Sequence, residues 1–436
     1  MMFYLHCDNA ILTETSVLFV ANTFDNMFHQ AVQIADVWRH IAEQFFRQNP
    51  SRCVYFGALN SERTRAHGIG ILFYPNGFLY VGEFNEASTT PNAMHGVGVL
   101  VYRNPNTFYY GEFNNNLRDG QHGIFVVENQ TRYVGSWKFD VSHGMGIRTI
   151  ADFKYNGQFM NGKSHGPGNA QYPDGSTYKG DFAIGLRHGK GVYVFAGGKG
   201  KTYAGEWVND KMNGMGKLTY GEHGIYSFHE HEGQFVNDLR HGQGIMKFKL
   251  RHNLTCNNPD CMHTVEGTWK EDRVDYGTFR CESSNESYTG DFVNLQPHGK
   301  GIYKWSSGIM YTGQFHQGKP HGTGVLRLAN SDLLHGTFVD GQCHGRGVYT
   351  FAIGGHFHGE WNKGRCPEFE QYAAYVTLDP SQLQLREHEF SKHWFKLAQF
   401  VQQVQRVQLS SSPYNVSTVL LSDDEGEDDH HHPICV

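Results

Sequence analysis

The sequence predicts an all-β repeat fold: an elongated, twisted antiparallel β-meander of stacked hairpins with short α-helical caps at both ends. Three observations predict it. Glycine supplies 52 of 436 residues, against a usual share of ~7%. Phe, Tyr and Trp reach 14% although the whole hydrophobic set is only 39% and mean hydropathy is −0.52. A two-part motif also returns at fixed spacing, as solenoids and strand arrays require. Disorder would deplete the aromatics, and collagen would need Gly at every third position and far more than 13 Pro.

The chain divides into four segments. Residues 1–52 hold Ala31, Ile34, Ala35, Trp38, Ile41, Ala42 and Phe45 at helical spacing, which predicts a helix over the first hairpin. Residues 1–20 lack a basic leader before a clear apolar run, so no signal peptide is expected. The eight Cys are scattered, which fits reduced thiols and a cytoplasmic chain.

Residues 53–366 are the array. Its first half-motif is Tyr-x-Gly-x-aromatic, as in Tyr80/Gly82/Phe84, Tyr133/Gly135/Trp137, Tyr203/Gly205/Trp207 and Tyr311/Gly313/Phe315. Weaker copies begin at Tyr55, His231, Val265, Leu334 and Phe357, for 13 in all. The second half is His-Gly-x-Gly, headed by His67, His95, His143, His165, His188, His241, His298, His321 and His344. Asn213 heads a further copy, while His122 and Asp275 head eroded ones. From Tyr133 to Leu334 the halves stand ten residues apart, and starts from Val265 to Phe357 are 23 apart.

These residues resemble the MORN repeat, whose unit is a 23-residue Tyr-x-Gly-x-aromatic…His-Gly-x-Gly β-hairpin. The departures are local: the copy at His122 loses its second Gly, that at Asp275 loses its His, and that at Phe357 lacks a second half. The resemblance implies an interaction scaffold at cytoskeletal or ciliary structures, as for the radial-spoke head and basal-complex MORN proteins. A second implication is a membrane tether of the junctophilin kind, for which the chain shows no C-terminal anchor. Some relatives carry a lipid kinase or SET methyltransferase, and the 70 residues after Cys366 are too few for either.

The strand period explains the motif. In Tyr178-x-Gly180-x-Phe182 the rings and Gly share one face, while Lys179 and Asp181 take the other. Glycine leaves room for a ring to lie on backbone and permits a bulge. A lone hairpin is marginal in water, so stability comes from stacking. At ~4.8 Å per strand, a hairpin advances the ribbon by about 9.6 Å, and the array is expected to reach on the order of 120 Å.

Residues 367–409 start a second helix near Asp379-Pro380 and continue through Leu383, Phe390, Trp394, Leu397, Val401 and Val404. This helix is expected to self-dock or to form a homodimer. Residues 410–436 read as a disordered tail with six acids in 423–429 and His430-His431-His432. Without those acids the body has 37 basic residues against 43 − 6 = 37 acidic ones, which argues against a nucleic-acid partner.

Two surfaces are candidates for binding. The ring face, with Tyr193, Phe195, Trp305, Tyr349 and Phe351, suits a protein helix or filament component. The hairpin turns place Lys163, Arg187, Lys211, Arg240, Arg273, Lys319 and Arg365 in a row that suits anionic phospholipid or an acidic filament. The motif histidines read as packing positions, with protonation near pH ~6.5 as a secondary expectation. In the insertion at 252–263, Cys256, Cys261 and His263, with His252 or Cys281 nearby, form a weak zinc candidate. The default there is a loop of reduced thiols. No phosphate loop or nucleophile elbow is present, so neither an enzyme nor a cofactor is expected.

Overall fold

The computed structural model describes residues 43–44, 46–47, 52–104, 106–128, 130–197, 200–220, 226–250 and 261–370. They contain 26 strands, and every pairing between them is antiparallel. The described residues fall into two compact units, one ending at Leu186 and one beginning at Arg187.

In the first unit each strand pairs with the next, from Val54–Leu59 and Ala66–Phe73 to Lys163–Gln171 and Thr177–Ala183. The eroded copy at His122 leaves a mark. There the second strand is split into Leu117–Arg118 and Gly120–Val127, and both pieces pair with Phe108–Asn114. In the second unit pairing runs without interruption from Leu186–Val194 to His356–Trp361. The last hairpin has only its first strand, closed by a bridge between Asn362 and Arg365.

Register explains the conserved spacing within the chain. Gly191 pairs Gly205, Gly205 pairs Gly216, Gly216 pairs Gly233, and Gly233 pairs Gly244. The motif glycines thus form a row across the strands. Within each hairpin the register slips one residue beyond this row, between Gly205 and Trp207 for example. The slip is a bulge, which strengthens the local twist. The turn that follows holds Asn209 and Asp210 at φ of 49° and 66°, the left-handed pair of a type I′ turn that matches strand twist.

The core of each unit is the ring face. Tyr80, Tyr109, Tyr133, Tyr155 and Tyr178 are buried in the first unit, and Tyr203, Tyr288 and Tyr311 in the second. Lys179 and Asp181 are exposed on the other side, as the period of two requires. The helical caps are described only in part. Glu43, Gln44, Phe46 and Arg47 are helical, as are residues 367–370. The remaining positions expected in the first helix, and the whole of 381–407, lie outside the described residues, as does the tail. Phe369 closes the end of the second unit, 4.5 Å from the Tyr349 ring and 6.3 Å from that of Trp361. Cys53 is disulfide-bonded, which corrects the expectation of uniformly reduced thiols, whereas Cys261, Cys281, Cys343 and Cys366 are free.

Candidate functional site

The ring face is built as a zipper. Tyr203 lies across Gly205 and Gly216, where any side chain would collide with its ring. Its hydroxyl donates to the backbone carbonyl of Glu206 at 3.0 Å. The same bond to the residue three positions on recurs at Tyr55, Tyr80, Tyr109, Tyr133, Tyr155, Tyr178, Tyr288 and Tyr311. Tyr203 also meets two aromatic neighbours edge-on, 5.1 Å from Trp207 and 5.2 Å from Phe235 of the next hairpin. Edge-to-face pairs of this kind contribute about 0.5–1.5 kcal/mol beyond area burial. Burial pushes the Tyr203 phenol above its usual range, so it remains a neutral donor.

This packing accounts for the rings expected to receive a partner. Tyr193, Trp305 and Tyr349 are only 5%, 7% and 3% exposed, and Phe195 and Phe351 are half-buried. Tyr193 packs edge-on against Phe195, and the Lys201 ammonium sits 4.2 Å from the Phe195 ring. Among the described residues this face is chiefly the chain's own core.

The basic row is also unequal. Lys163, Lys211, Arg273 and Arg365 are exposed and Lys319 is half-buried, but Arg187 and Arg240 are buried. Arg187 donates its backbone N–H and Nε to Asp210 Oδ1, and Nη2 to the Asp210 carbonyl, all at 2.8–2.9 Å. Its guanidinium carbon lies 4.4 Å from the Trp207 ring centroid. Arg240 repeats this with Asp272 and Trp269, and Arg118 with Asp140 and Trp137. These clamps tie one hairpin to the turn of the next and offer no charge to a ligand. Arg365 is engaged by Glu370 at 3.1 Å. Reasoning from sequence missed the clamps. Their signal is present, since Trp137, Trp207 and Trp269 are each followed three residues later by Asp.

The open surface is the opposite face. In the first unit the variable position of His-Gly-x-Gly places Ile69, Val97 and Met145 on that face, 73%, 45% and 42% exposed, and in the second unit it places Met215 there, 52% exposed. Val192, Ile245 and Ile302, two residues beyond that position in their own hairpins, add 44%, 37% and 45% exposure. Near the end of the second unit a groove of about 780 Å³ is lined by Thr323, Val325, His335, Thr337, Arg346 and Val348, among others. The motif histidines pack beside the bulge: His95, His143, His165 and His321 each bury Nδ1 without a hydrogen-bond partner.

Of the metal candidates, Cys256 and His252 lie outside the described residues. Cys261 and His263 come together with Cys281, all buried, with donor atoms within 4.8 Å of one another. Burial raises the Cys281 thiol, but hydrogen bonds with His263, Ser284 and Cys261 outweigh it and bring the group to about 5.

No helix among the described residues is long and apolar enough to cross a membrane. The chain matches the family model described as MORN repeat at 92–104, 109–121, 133–153, 155–177, 178–199, 203–225, 231–249, 288–310, 311–333 and 335–356. Among curated proteins it is similar to Alsin of Rattus norvegicus and of Homo sapiens, each 33% identical over 164 residues. That region covers 37% of this chain and 9% of Alsin. It is also similar to ALS2 C-terminal-like protein of Bos taurus, 33% identical over 96 residues, covering 21% of this chain and 10% of that protein. The chain therefore spans about a tenth of the length of the curated relatives it matches. Among solved structures, virginiamycin B lyase from Staphylococcus aureus aligns over 71% of this chain and 89% of its own, at 9% identity and a TM-score of 0.12. That likeness is too low to support a common fold.

Proposed function

The chain belongs to the MORN-repeat family, and from that membership we propose a non-enzymatic scaffold that organises a cytoskeletal or ciliary assembly through a protein partner. MORN repeats are protein or lipid interaction modules, and the matching region is not a catalytic one. The observation that carries the choice of a protein partner is the division of labour between the two faces. The rings are consumed in the chain's own packing, while the other face exposes an apolar residue on many, though not all, of the second strands of the hairpins. Such a surface, with a period of about 9.6 Å, favours a partner that is itself extended or repetitive, because successive weak contacts then add as avidity.

The lipid-tether reading rests on the basic turns. Burial of Arg187 and Arg240 and the pairing of Arg365 with Glu370 reduce that row to Lys163, Lys211, Arg273 and Lys319. At ~1 kcal/mol per base near an anionic surface, four separated charges give modest adhesion. Co-sedimentation of the purified chain with axonemal or microtubule polymer, and in parallel with phosphatidylserine vesicles, separates the readings. The scaffold reading expects polymer binding that is lost in the triple variant Ile69→Glu, Val97→Glu, Met215→Glu. Vesicle binding lost on Lys163→Glu, Lys211→Glu and Arg273→Glu, with no binding to polymer, would establish the tether instead. Localisation of a tagged chain in a ciliated cell then tests the ciliary assignment.

A further inference from the structure

The hairpin of Met262–Lys270 and Arg273–Cys281 departs from its neighbours in a way that calls for another source of cohesion. Its first motif position is Val265 instead of Tyr, so no ring lies over Gly267 and Gly277, which meet only backbone atoms. Its second half has lost the motif His. At the open end of this hairpin, away from the Glu271-Asp272 turn, stand two thiols and an imidazole. His263 is in register with Cys281 across the ladder and hydrogen-bonded to it. Cys261, at the start of the same strand, brings its Sγ to 3.2 Å from that of Cys281. The three residues are 4%, 2% and 1% exposed in the order Cys261, His263, Cys281.

We infer that Cys261, His263 and Cys281 form a structural zinc site that fastens the open end of this hairpin in place of the missing tyrosine. The donor set is two sulfurs and one imidazole nitrogen without a carboxylate, which suits Zn²⁺ and not Mg²⁺ or Ca²⁺. The geometry lies nearer to coordination than to a disulfide. Two thiolates at ~2.3 Å from a tetrahedral zinc stand about 3.8 Å apart, so the observed pair needs to open by roughly 0.6 Å. Closing to a disulfide bond of ~2.05 Å would require roughly twice that movement. Ser283 supports the sulfur from outside the cluster, its hydroxyl donating to Cys261 Sγ at 2.8 Å and its backbone N–H at 3.4 Å. Such donors orient a ligand and temper the charge of a thiolate. The metal holds both sulfurs as thiolates, and any proton still carried by a thiol is released to solvent, with no change of oxidation state. Three protein donors leave one tetrahedral position for water or a fourth ligand.

The test uses the full chain with His430, His431 and His432 changed to Ala, so that the tail cannot hold metal. After dialysis, elemental analysis is expected to find one zinc per chain, falling to near zero in Cys281→Ser and in Cys261→Ser. Replacement of zinc by Co²⁺ in the unaltered cluster is expected to give a thiolate charge-transfer band with tetrahedral d–d bands. That spectrum decides the matter even if the serine variants fail to fold. Absence of a cobalt thiolate spectrum, zinc retained in the Cys261→Ser/Cys281→Ser double variant, or a native Cys261–Cys281 disulfide found by peptide mapping would each overturn the site.

Discussion

The guanidinium of Arg187 lies over the indole of Trp207, 4.4 Å from its centroid, while its edge is bonded to Asp210. Arg187 belongs to one hairpin and Trp207 and Asp210 to the next, so the stack joins successive repeats. The arrangement is possible because Asp210 is held in a left-handed conformation at φ 66°, which aims both its carboxylate and its carbonyl back at Arg187. Arg118 and Arg240 are held in the same way over Trp137 and Trp269.

Breaking such a clamp from its acidic side is expected to be costly. In the Arg240–Asp272 pair the side chains are 3% and 6% exposed. Asp272→Ala strands a buried guanidinium and is expected to cost about 3–5 kcal/mol. Arg240→Met keeps the backbone N–H bond to Asp272 and apolar contact with Trp269, and is expected to cost clearly less. Urea midpoints of the two variants test this ordering, and equal losses would count against it.

The hydroxyl is the reason for tyrosine at the first motif position. Tyr203→Phe keeps the ring but removes the 3.0 Å bond to the Glu206 carbonyl. The expected loss is about 1 kcal/mol, read as a lowered denaturation midpoint. No loss would assign the choice of Tyr to something other than this bond.

Acid sensitivity is expected to come from His231, which stands where other repeats have Tyr, together with neighbouring His229, whose pKa burial also holds well below its usual value. Burial, with the nearby Arg240 charge, lowers the His231 pKa to about 2. Because the folded value lies below the unfolded one, its stabilising contribution is complete above pH ~6.5 and declines as pH falls, until the folded value is reached. Between pH 7.5 and 5.5 the loss is about 1.4 kcal/mol. His231→Tyr is expected to reduce the slope of that part of the stability profile, leaving the share of His229, and an unchanged slope would contradict the assignment.

Much of this was legible in the sequence because the motif imposes it locally. Tyr-x-Gly-x-aromatic puts Tyr203, Gly205 and Trp207 on one face by period alone, and the matched spacing of His-Gly-x-Gly fixes Gly216 opposite Gly205. Even the eroded copy at His122 corresponds to a split strand. What sequence could not give was the fate of the rings. Period assigns a face, but whether Tyr193 is open depends on Trp207 of the next hairpin closing over it. The basic row failed because it merged two strand positions: Arg187 and Arg240 stand nine residues after their unit starts and turn toward the rings, whereas Lys163, Lys211, Arg273 and Lys319 stand eight after theirs and take the other face. The metal cluster was half visible, since Cys261 and His263 are two residues apart in sequence and Cys281 joins them only through strand pairing.

The two faces are expected to differ sharply in tolerance. Ile69→Thr and Met215→Thr alter residues 73% and 52% exposed and are expected to change stability by no more than about 0.5 kcal/mol. Large losses would mean that this face is also part of the packing.

The central claim is that at Gly205 and Gly216 the Tyr203 ring occupies the space a side chain would need. A double-mutant cycle at Tyr203 and Gly216 measures it most directly, because the three atoms nearest a Cβ at Gly216 all belong to the Tyr203 side chain. Gly216→Ala alone is expected to cost about 1–3 kcal/mol through overpacking. In a Tyr203→Val background, which reproduces the natural Val265 hairpin, the part of that cost due to the ring is expected to vanish, leaving the backbone contacts that Gly277 meets there. Additivity of the two changes within about 0.5 kcal/mol would contradict the account.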